Sequence, residues 1–177
     1  MLLKDHVCLM AQFNHWMNKK IFDACESLSA EQLAENKGAF FGSILGTLNH
    51  LVIGDTIWLQ RFALAFSAHK ALDPVTQIPR PEALNAIAFE QLAELKTRRE
   101  LLDQVFLSLA KSVTDADLEQ AMTYKNTKGE TSTKLFFSLL MHVFNHQTHH
   151  RGQVTTLLSQ LGVDVGVTDL VAIIPSA

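Results

Sequence analysis

The stretch NHQTHHRGQVTTLLSQLG, from Asn145 to Gly162, contains three of the eight histidines of the chain and ends on a glycine. Apolar residues in and just before it recur every three or four positions, which is the period of an α-helix. Glycine often terminates helices because it adopts the left-handed backbone conformation without strain. We therefore predict a long helix over about 133–161, with Gly162 as its C-terminal stop.

The histidines of this helix lie on one face. Because successive residues are rotated by 100°, five side chains fall within an arc of about 100°: His142, His146, His149, His150 and Gln153. Two imidazoles four residues apart can bind the same small cation. The spacing allows the pairs His142–His146 and His146–His150, with His146–His149 as a looser alternative. A solvated polar face is the competing interpretation.

A third ligand would have to come from another helix, since catalytic metal sites usually have three protein ligands and an open position. His50 is the best candidate, because it lies in the middle of the apolar run 46–58. Gly46 and Gly54 flank it on the same face, and each costs about 1 kcal/mol in a helix, so we expect a close neighbour there. Asp55 is a candidate partner or weak further ligand. A hydrogen-bonded core role is the alternative for His50.

Three other runs of the chain have helical periodicity. They extend over about 3–28, over 44–67 with Ser43 as N-cap, and from 83 or 89 to 110. Four long amphipathic helices with mostly short connections are typical of a helical bundle. We predict an all-α fold, an antiparallel four-helix bundle, in a single domain spanning residues 1–177.

The connecting segments carry signals of their own. Capping residues indicate short helical turns at 30–34 and near 114–117. Three of the four prolines lie in the linker 69–81, which cannot be helical throughout because proline lacks the backbone N–H. The polar segment 122–133 contains the turn signal Lys128-Gly129 and predicts a short hairpin or an ordered loop before the last long helix.

The composition argues against some classes of partner. The chain has 177 residues, of which 47% are hydrophobic and 19% charged, and a formal net charge of -3. Without a cationic surplus for a phosphate backbone, we expect no nucleic-acid partner. The basic residues Lys96, Arg98 and Arg99 alternate with Glu94 and Glu100, which is typical of a solvated helix face.

Location is predicted from similar considerations. No run of eighteen apolar residues is present, and the N-terminus lacks the apolar core of a signal peptide, so we expect neither membrane association nor export. The two cysteines, Cys8 and Cys25, lie among apolar residues and are too few for a disulfide framework. A reduced, cytoplasmic location is therefore the expectation.

The dipeptide Asn-His occurs three times, at 14–15, 49–50 and 145–146. The first lies beside Asn18 and Lys19, and we interpret this face of the first helix as exposed. The asparagines of the other two dipeptides are candidates either for orienting a ligand or for bonding a neighbouring helix. Phe40 and Phe41, just before the second long helix, are candidates for the mouth of a pocket.

Several segments together resemble the DinB/YfiT-like family. They are NHQTHHRGQVTTLLSQLG with the later DLVAIIP, TLNHLVIGDTIWLQRF at 47–62, and YKNTKGE at 124–130. The similarity covers nearly the whole chain in the same order. It implies a four-helix bundle, usually dimeric, with one divalent metal bound by His50, His146 and His150. The Arg-Gly-Gln after His150 sets this register and puts His149 at a variable position of the motif.

The resemblance also implies a function. Relatives include transferases and isomerases that use bacillithiol, mycothiol or glutathione, and others described as metal-dependent hydrolases. We expect a metal-dependent enzyme acting on a small molecule, first a thiol-dependent S-transferase or isomerase for an electrophilic substrate. The alternatives are a hydrolase using metal-bound hydroxide, a non-enzymatic metal- or ligand-binding stress protein, and an interaction module with structural histidines.

The chemistry of a three-histidine site and the residues next to His150 suggest the cofactor and the helper residues. Zinc or nickel is the expected ion, iron and manganese are alternatives, and a low-molecular-weight thiol is a further candidate cofactor. Gln153 could hydrogen-bond a bound water. Arg151 could reach an acidic substrate or an acidic residue of another helix. A homodimer is expected from the resemblance, and neither nucleic acid nor membrane is expected as a partner.

Overall fold

The computed structural model of the protein describes residues 2–126 and 128–176. These residues form seven α-helices and one pair of strands. The helices are α1 (Leu3–Cys25), α2 (Ala30–Ala34), α3 (Ile44–Ala65), α4 (Asp73–Thr76), α5 (Leu92–Ser112), α6 (Asp115–Leu118) and α7 (Phe136–Gln160), and the strands are β1 (Ala121–Lys125) and β2 (Thr131–Leu135). Turns of 3-10 helix lie at Lys70–Leu72 and Leu170–Ile173. The prediction of a mainly helical chain is confirmed.

The caps expected from the sequence are present. Ser29 and Thr114 each form a capping box at the start of α2 and α6. The Ser43 hydroxyl accepts a hydrogen bond from the Gly46 N–H at 3.0 Å and begins α3. These side chains bond N–H groups that the first turn of a helix cannot pair internally, so the start of α3 is fixed six residues before His50.

The four long helices pack on one another through apolar faces. Each of α1 and α3 contacts both α5 and α7. The largest fully buried apolar side chains of this core include aromatic residues from α3, α5 and α7, namely Phe62, Phe106, Phe136 and Phe144. Because α3 and α7 share this core, the faces that carry the candidate histidines are held against each other.

Of the two expected alternatives, a hairpin or an ordered loop, the structure has the hairpin. β1 and β2 pair in antiparallel register, with Ala121 opposite Leu135 and Lys125 opposite Thr131. Tyr124 of β1 packs against Trp58 of α3, with ring centroids 5.1 Å apart. The hairpin therefore lies against the C-terminal half of α3.

Some boundaries differ from the prediction. Helix α1 ends at Cys25 rather than near 28, and α5 begins at Leu92 rather than at 83 or 89. Helix α7 begins at Phe136 rather than 133, because the preceding residues pair with β1. The proline-containing linker is not helical throughout, as predicted, and forms only α4 and a 3-10 turn.

The predicted solvated face of α5 is wrong for Arg99. This side chain is 2% exposed and lies between two carboxylates. Its Nη1 is 2.6 Å from Asp55 Oδ2 on α3, and its Nη2 is 3.0 Å from Asp103 Oδ1 on its own helix. Alternation of charge along α5 could not reveal that another helix supplies a buried partner.

The polar face of α1 is likewise more buried than predicted. Asn14 and Asn18 are 1% and 2% exposed, whereas His15 is half-buried, with its Nδ1 3.7 Å from Asp103 Oδ2. The two asparagines face α5 and α7 rather than solvent. Within the described ranges, no helix combines the length and the apolarity that crossing a membrane would require.

Candidate metal centre

The three predicted histidines converge in the structure. His50 projects from α3, and His146 and His150 project from successive turns of α7. One ring nitrogen of each lies within 4.8 Å of the others, and His50 Nε2 is 3.0 Å from His146 Nε2. The three ring centroids are separated by 4.4 to 5.0 Å. We call these residues the histidine cluster.

Hydrogen bonds from outside the histidine cluster fix the orientation of two of its rings. His50 Nδ1 lies 2.8 Å from the Leu84 carbonyl oxygen, and His150 Nδ1 lies 2.7 Å from Gln153 Oε1. A carbonyl oxygen only accepts, so each Nδ1 carries the proton and donates it. The Nε2 lone pairs of His50 and His150 are then free, which is the arrangement typical of metal-binding histidines.

Burial keeps the rings neutral. Burial lowers the pKa of His50 and of His150. The pKa of His146 is lowered to about 3, first by burial and then by the neighbouring His150 and His50 rings. Neutral imidazole is the form that binds a metal, so the histidine cluster is in its ligand form near neutral pH.

The glycines that flank His50 allow close approaches, as predicted. A Cβ atom at Gly54 would lie 3.3 Å from His146 Cε1. At Gly46 it would lie 2.1 Å from the Phe41 carbonyl oxygen, which is a clash with the backbone. Gly54 thus makes room for a histidine, and Gly46 for the loop that covers the site.

Aromatic residues of that loop cover the histidine cluster. Phe41 stacks on the His50 ring at 3.8 Å between centroids and meets the His150 ring edge-on at 5.4 Å. Phe40 packs edge-on against Phe41 and is 85% exposed. Phe41 therefore shields the cluster, whereas Phe40 stands at its rim.

The donor set fits a divalent transition metal. Two nitrogens bound tetrahedrally to zinc at 2.0–2.1 Å lie about 3.3 Å apart, close to the 3.0 Å between His50 and His146. Imidazole ligands suit zinc, nickel, iron and copper rather than calcium or magnesium. Three protein donors also leave coordination positions open for a small molecule.

The comparison with known proteins agrees with the sequence resemblance. The sequence model that defines the DinB family matches residues 1–177 of this chain. The chain belongs to the DinB family. The Protein DinB of Bacillus subtilis (strain 168) is 27% identical over 167 residues, which cover 94% of this chain and 92% of that relative.

Two further histidines of α7 in this DinB-family chain lie outside the cluster. The His142 ring is 6.1 Å from that of His146 and packs edge-on against Trp58 at 5.2 Å. His149 is exposed and packs against His150 at 4.8 Å. Of the alternative pairs that the spacing allowed, the structure brings His146 and His150 together with His50.

The candidate helper residues have other contacts. Gln153 accepts a hydrogen bond from His150 itself and so positions that ring, and its bond to a metal-bound water stays a prediction. Arg151 is 3% exposed, donates to Asn14, and has its Nη2 3.2 Å from the Thr148 hydroxyl. Among the described residues, the hydrogen-bond partners of Arg151 are side-chain amides and a hydroxyl. The predicted bond to an acidic residue of another helix is not among them.

Asp55 is not part of the histidine cluster. It is fully buried and accepts hydrogen bonds from Arg99 at 2.6 Å and from Gln147. Burial raises the pKa of Asp55 to about 6, although Arg99 opposes this effect. Its predicted role as a further ligand is therefore wrong, and its contacts are with the ion pair that joins α3 to α5.

Sequence reasoning missed how the linker supports the DinB site. The Asn49 amide donates to the Phe89 carbonyl at 2.9 Å and accepts from the Phe89 N–H at 2.9 Å. These two hydrogen bonds fix residues 82–91, which continue the linker up to α5 and include the Leu84 carbonyl that accepts from His50. A backbone carbonyl has no signature in the sequence, and the only signal available was the asparagine next to His50.

Proposed function

We propose that His50, His146 and His150 bind one divalent metal ion, and that the chain is a metal-dependent enzyme acting on a small molecule. The observation that carries this proposal is the convergence of three neutral imidazoles from two helices, two of them oriented by Nδ1 hydrogen bonds. Zinc or nickel is the ion we favour, with iron or manganese as alternatives.

Thiol-dependent S-transfer is the reaction we favour. A divalent ion with three neutral ligands keeps its full charge and lowers the pKa of a thiol or water bound to it. No carboxylate belongs to the histidine cluster to act as a general base. A thiol, with an ordinary pKa near 8.5, needs less assistance to ionise than water, which favours a thiol over water as the nucleophile.

The thiol would come from a small molecule. The Cys25 thiol is fully buried, and burial raises its pKa to about 12. The Cys8 thiol lies 3.3 Å from the Ala110 carbonyl, which it can reach as a donor. Neither belongs to the histidine cluster. In the proposed reaction the external thiolate forms a new S–C bond, the leaving group departs with the electron pair, and the thiol proton passes to solvent.

Residues of the chain have defined tasks in this proposal. The three histidine rings would hold the ion to which the thiol binds, and the bonds to Leu84 and Gln153 keep the Nε2 atoms of His50 and His150 directed inward. Phe41 covers one side of the cluster and excludes water from it. The exposed Phe40 ring beside it offers an apolar surface to an electrophile.

The wider arrangement also remains a proposal. We infer that the four long helices form the antiparallel bundle expected of the family, as a single domain. A homodimer in a reducing cytoplasm is the context we propose, and two unpaired cysteines fit such a compartment. Light scattering of the full chain would test the dimer, and a molar mass of one chain would contradict it.

A panel of substrates tests the reaction. Metal-loaded full-length protein is incubated with glutathione, bacillithiol or mycothiol and a chromogenic electrophile, and separately with chromogenic esters. We expect thiol conjugation that is lost in His146→Ala and retained in His149→Ala, an exposed histidine outside the cluster. Ester hydrolysis without conjugation would instead indicate the hydrolase alternative. Inactivity of metal-loaded protein towards every substrate would favour a non-enzymatic binding protein.

A further inference from the structure

A cationic cavity lies beside the C-terminal half of α3. It has a volume of about 480 Å³ and is bordered by α3, the linker and the hairpin. Three cations line it, Arg61 from α3, Arg80 from the linker and Lys125 from β1. Among the described residues that line it, none is an aspartate or a glutamate, and none of these three cations forms a salt bridge there.

Arg61 is held in place without being neutralised. Its guanidinium carbon lies 4.7 Å from the centre of the Trp58 ring and 5.3 Å from that of Tyr124. One of its N–H groups donates to the Lys125 carbonyl at 2.9 Å. Aromatic faces attract a cation but leave its charge intact. Most of the five N–H donors of this guanidinium therefore remain available to a ligand.

The side chains of Arg61 and Arg80, both positively charged, line the same cavity. Burial and the nearby positive charge of Arg80 both lower the pKa of Arg61. Like charges in one partly buried cavity are unfavourable unless an anion joins them. Arginine is also the side chain best suited to paired hydrogen bonds with a carboxylate or a phosphate group.

The cavity and the histidine cluster lie along the same face of α3. Arg61 follows His50 by eleven residues on α3, which is about three turns and about 16 Å, and at 100° per residue the two fall on the same face. The rings of His142 and Trp58 bridge the interval, since His142 lies 6.1 Å from His146 and 5.2 Å from Trp58. An extended small molecule lying over the exposed His142 ring would span the interval between the two places.

We propose that this cavity binds the anionic end of the substrate or thiol that reacts at the histidine cluster. The recognised chemistry is a carboxylate or phosphate group separated from the reacting atom by roughly 10–16 Å, the span of about three helical turns or less. The identification of the ligand as a substrate rests on the proposed function. The existence of an anion site does not, because the three cations are present without any metal.

Calorimetric titration of the full-length protein with succinate and with inorganic phosphate tests the site and separates the two anion classes. We expect at least one of them to bind, more weakly at high salt because the contact is ionic. Arg61→Gln and Arg80→Gln should each weaken that binding by about tenfold or more. Lys134→Gln is the matched control, since Lys134 is an exposed hairpin cation that does not line the cavity, and should leave the affinity unchanged.

The outcomes separate this inference from the proposed function. If Arg61→Gln lowers the melting temperature, the exposed Arg80 supplies the decisive variant. Binding of neither anion by the wild type, or wild-type affinity in both arginine variants, would overturn the anion site. Anion binding that disappears in His146→Ala would place the anion at the histidines and would also overturn it. Anion binding by a protein that takes up no metal when it is offered would uphold the anion site and count against the proposed function alone.

Discussion

Gly54 is a poor helix former in the middle of α3, at the point where His146 of α7 approaches. We predict that Gly54→Ala weakens metal binding, because the new methyl group would lie 3.3 Å from His146 Cε1 and displace the ring. Folding stability should not fall in parallel, since alanine is favoured over glycine in a helix by about 1 kcal/mol. Metal affinity by chelator competition and urea unfolding measure the two effects.

Gly152 provides the matched control. It lies within α7, and a Cβ atom there would have no described heavy atom within 4 Å. Gly152→Ala should raise the free energy of unfolding by about 1 kcal/mol and leave metal affinity unchanged. Equal metal affinities in the two alanine variants would contradict the role that we assign to Gly54.

The lowered pKa values of the cluster predict how metal binding depends on pH. A free imidazole gains a proton as the pH falls through about 6.5 and then cannot bind a metal. Burial lowers the pKa of His50 and His150 and brings that of His146 to about 3. Protons therefore compete only at lower pH, and metal affinity should be nearly constant between pH 7.5 and pH 6.5. An affinity that already falls across this interval would contradict these shifts.

At the scale of single residues, the sequence predicted the histidines better than their surroundings. Helical spacing left three pairs open on α7, and only the resemblance selected His146 with His150. The spacing also put Gln153 near His150, but it could not show that the amide would bond the ring itself. Asp55 was predicted near the metal because the sequence could not show that Arg99 would cover it.

Among the elements, the linker before α5 depends on one side chain of α3. We predict that Asn49→Ala destabilises the fold by about 1–3 kcal/mol, because it leaves the Phe89 backbone groups without partners. The linker should also exchange amide hydrogens faster, and metal affinity should fall because the Leu84 carbonyl would no longer hold His50. Hydrogen exchange over 78–91 measures the first effect, and chelator competition the second.

Asn145→Ala is the control for this prediction. Asn145 belongs to the same kind of Asn-His dipeptide but is exposed on α7. Its replacement should change stability by less than about 0.5 kcal/mol and leave linker exchange unaltered. Similar exchange rates in both variants would mean that Asn49 does not hold the linker.

The start of a helix was predicted well where a local capping residue determines it, and poorly where contacts with distant residues determine it. Serine and threonine caps fixed the starts of α2, α3 and α6, since a cap is a local hydrogen bond. The start of α5 was left between 83 and 89, whereas bonds from Asn49 and His50 hold that segment in a non-helical conformation up to Gln91. No local pattern could convey this restraint.

Across the whole molecule, a buried polar network joins the four long helices. Arg99 of α5 binds Asp55 of α3, and Asn18 of α1 donates to Asp103 at 2.9 Å. Gln147 of α7, next to His146 in the chain, donates to Asp55. The network therefore fixes the rotation of α7, on which the direction of the histidines depends.

We predict that Arg99→Met destabilises the protein by about 3–5 kcal/mol, because it leaves the buried Asp55 without its cation. The neighbouring Arg98, which lies over the Phe89 ring at 5.3 Å, is the control, and Arg98→Met should cost less than about 1 kcal/mol. Urea unfolding measures both. Similar losses in the two variants would show that the network does not stabilise the fold.

The most direct test of the whole account is the metal content of untagged protein purified from its native host, measured by elemental analysis of the wild type and of His50→Ala, His146→Ala, His150→Ala and His149→Ala. We predict close to one divalent ion per chain in the wild type and in His149→Ala, and a loss of that ion in the other three. A wild type without metal, or a His146→Ala variant that keeps its ion, would contradict the metal centre on which the proposed function rests.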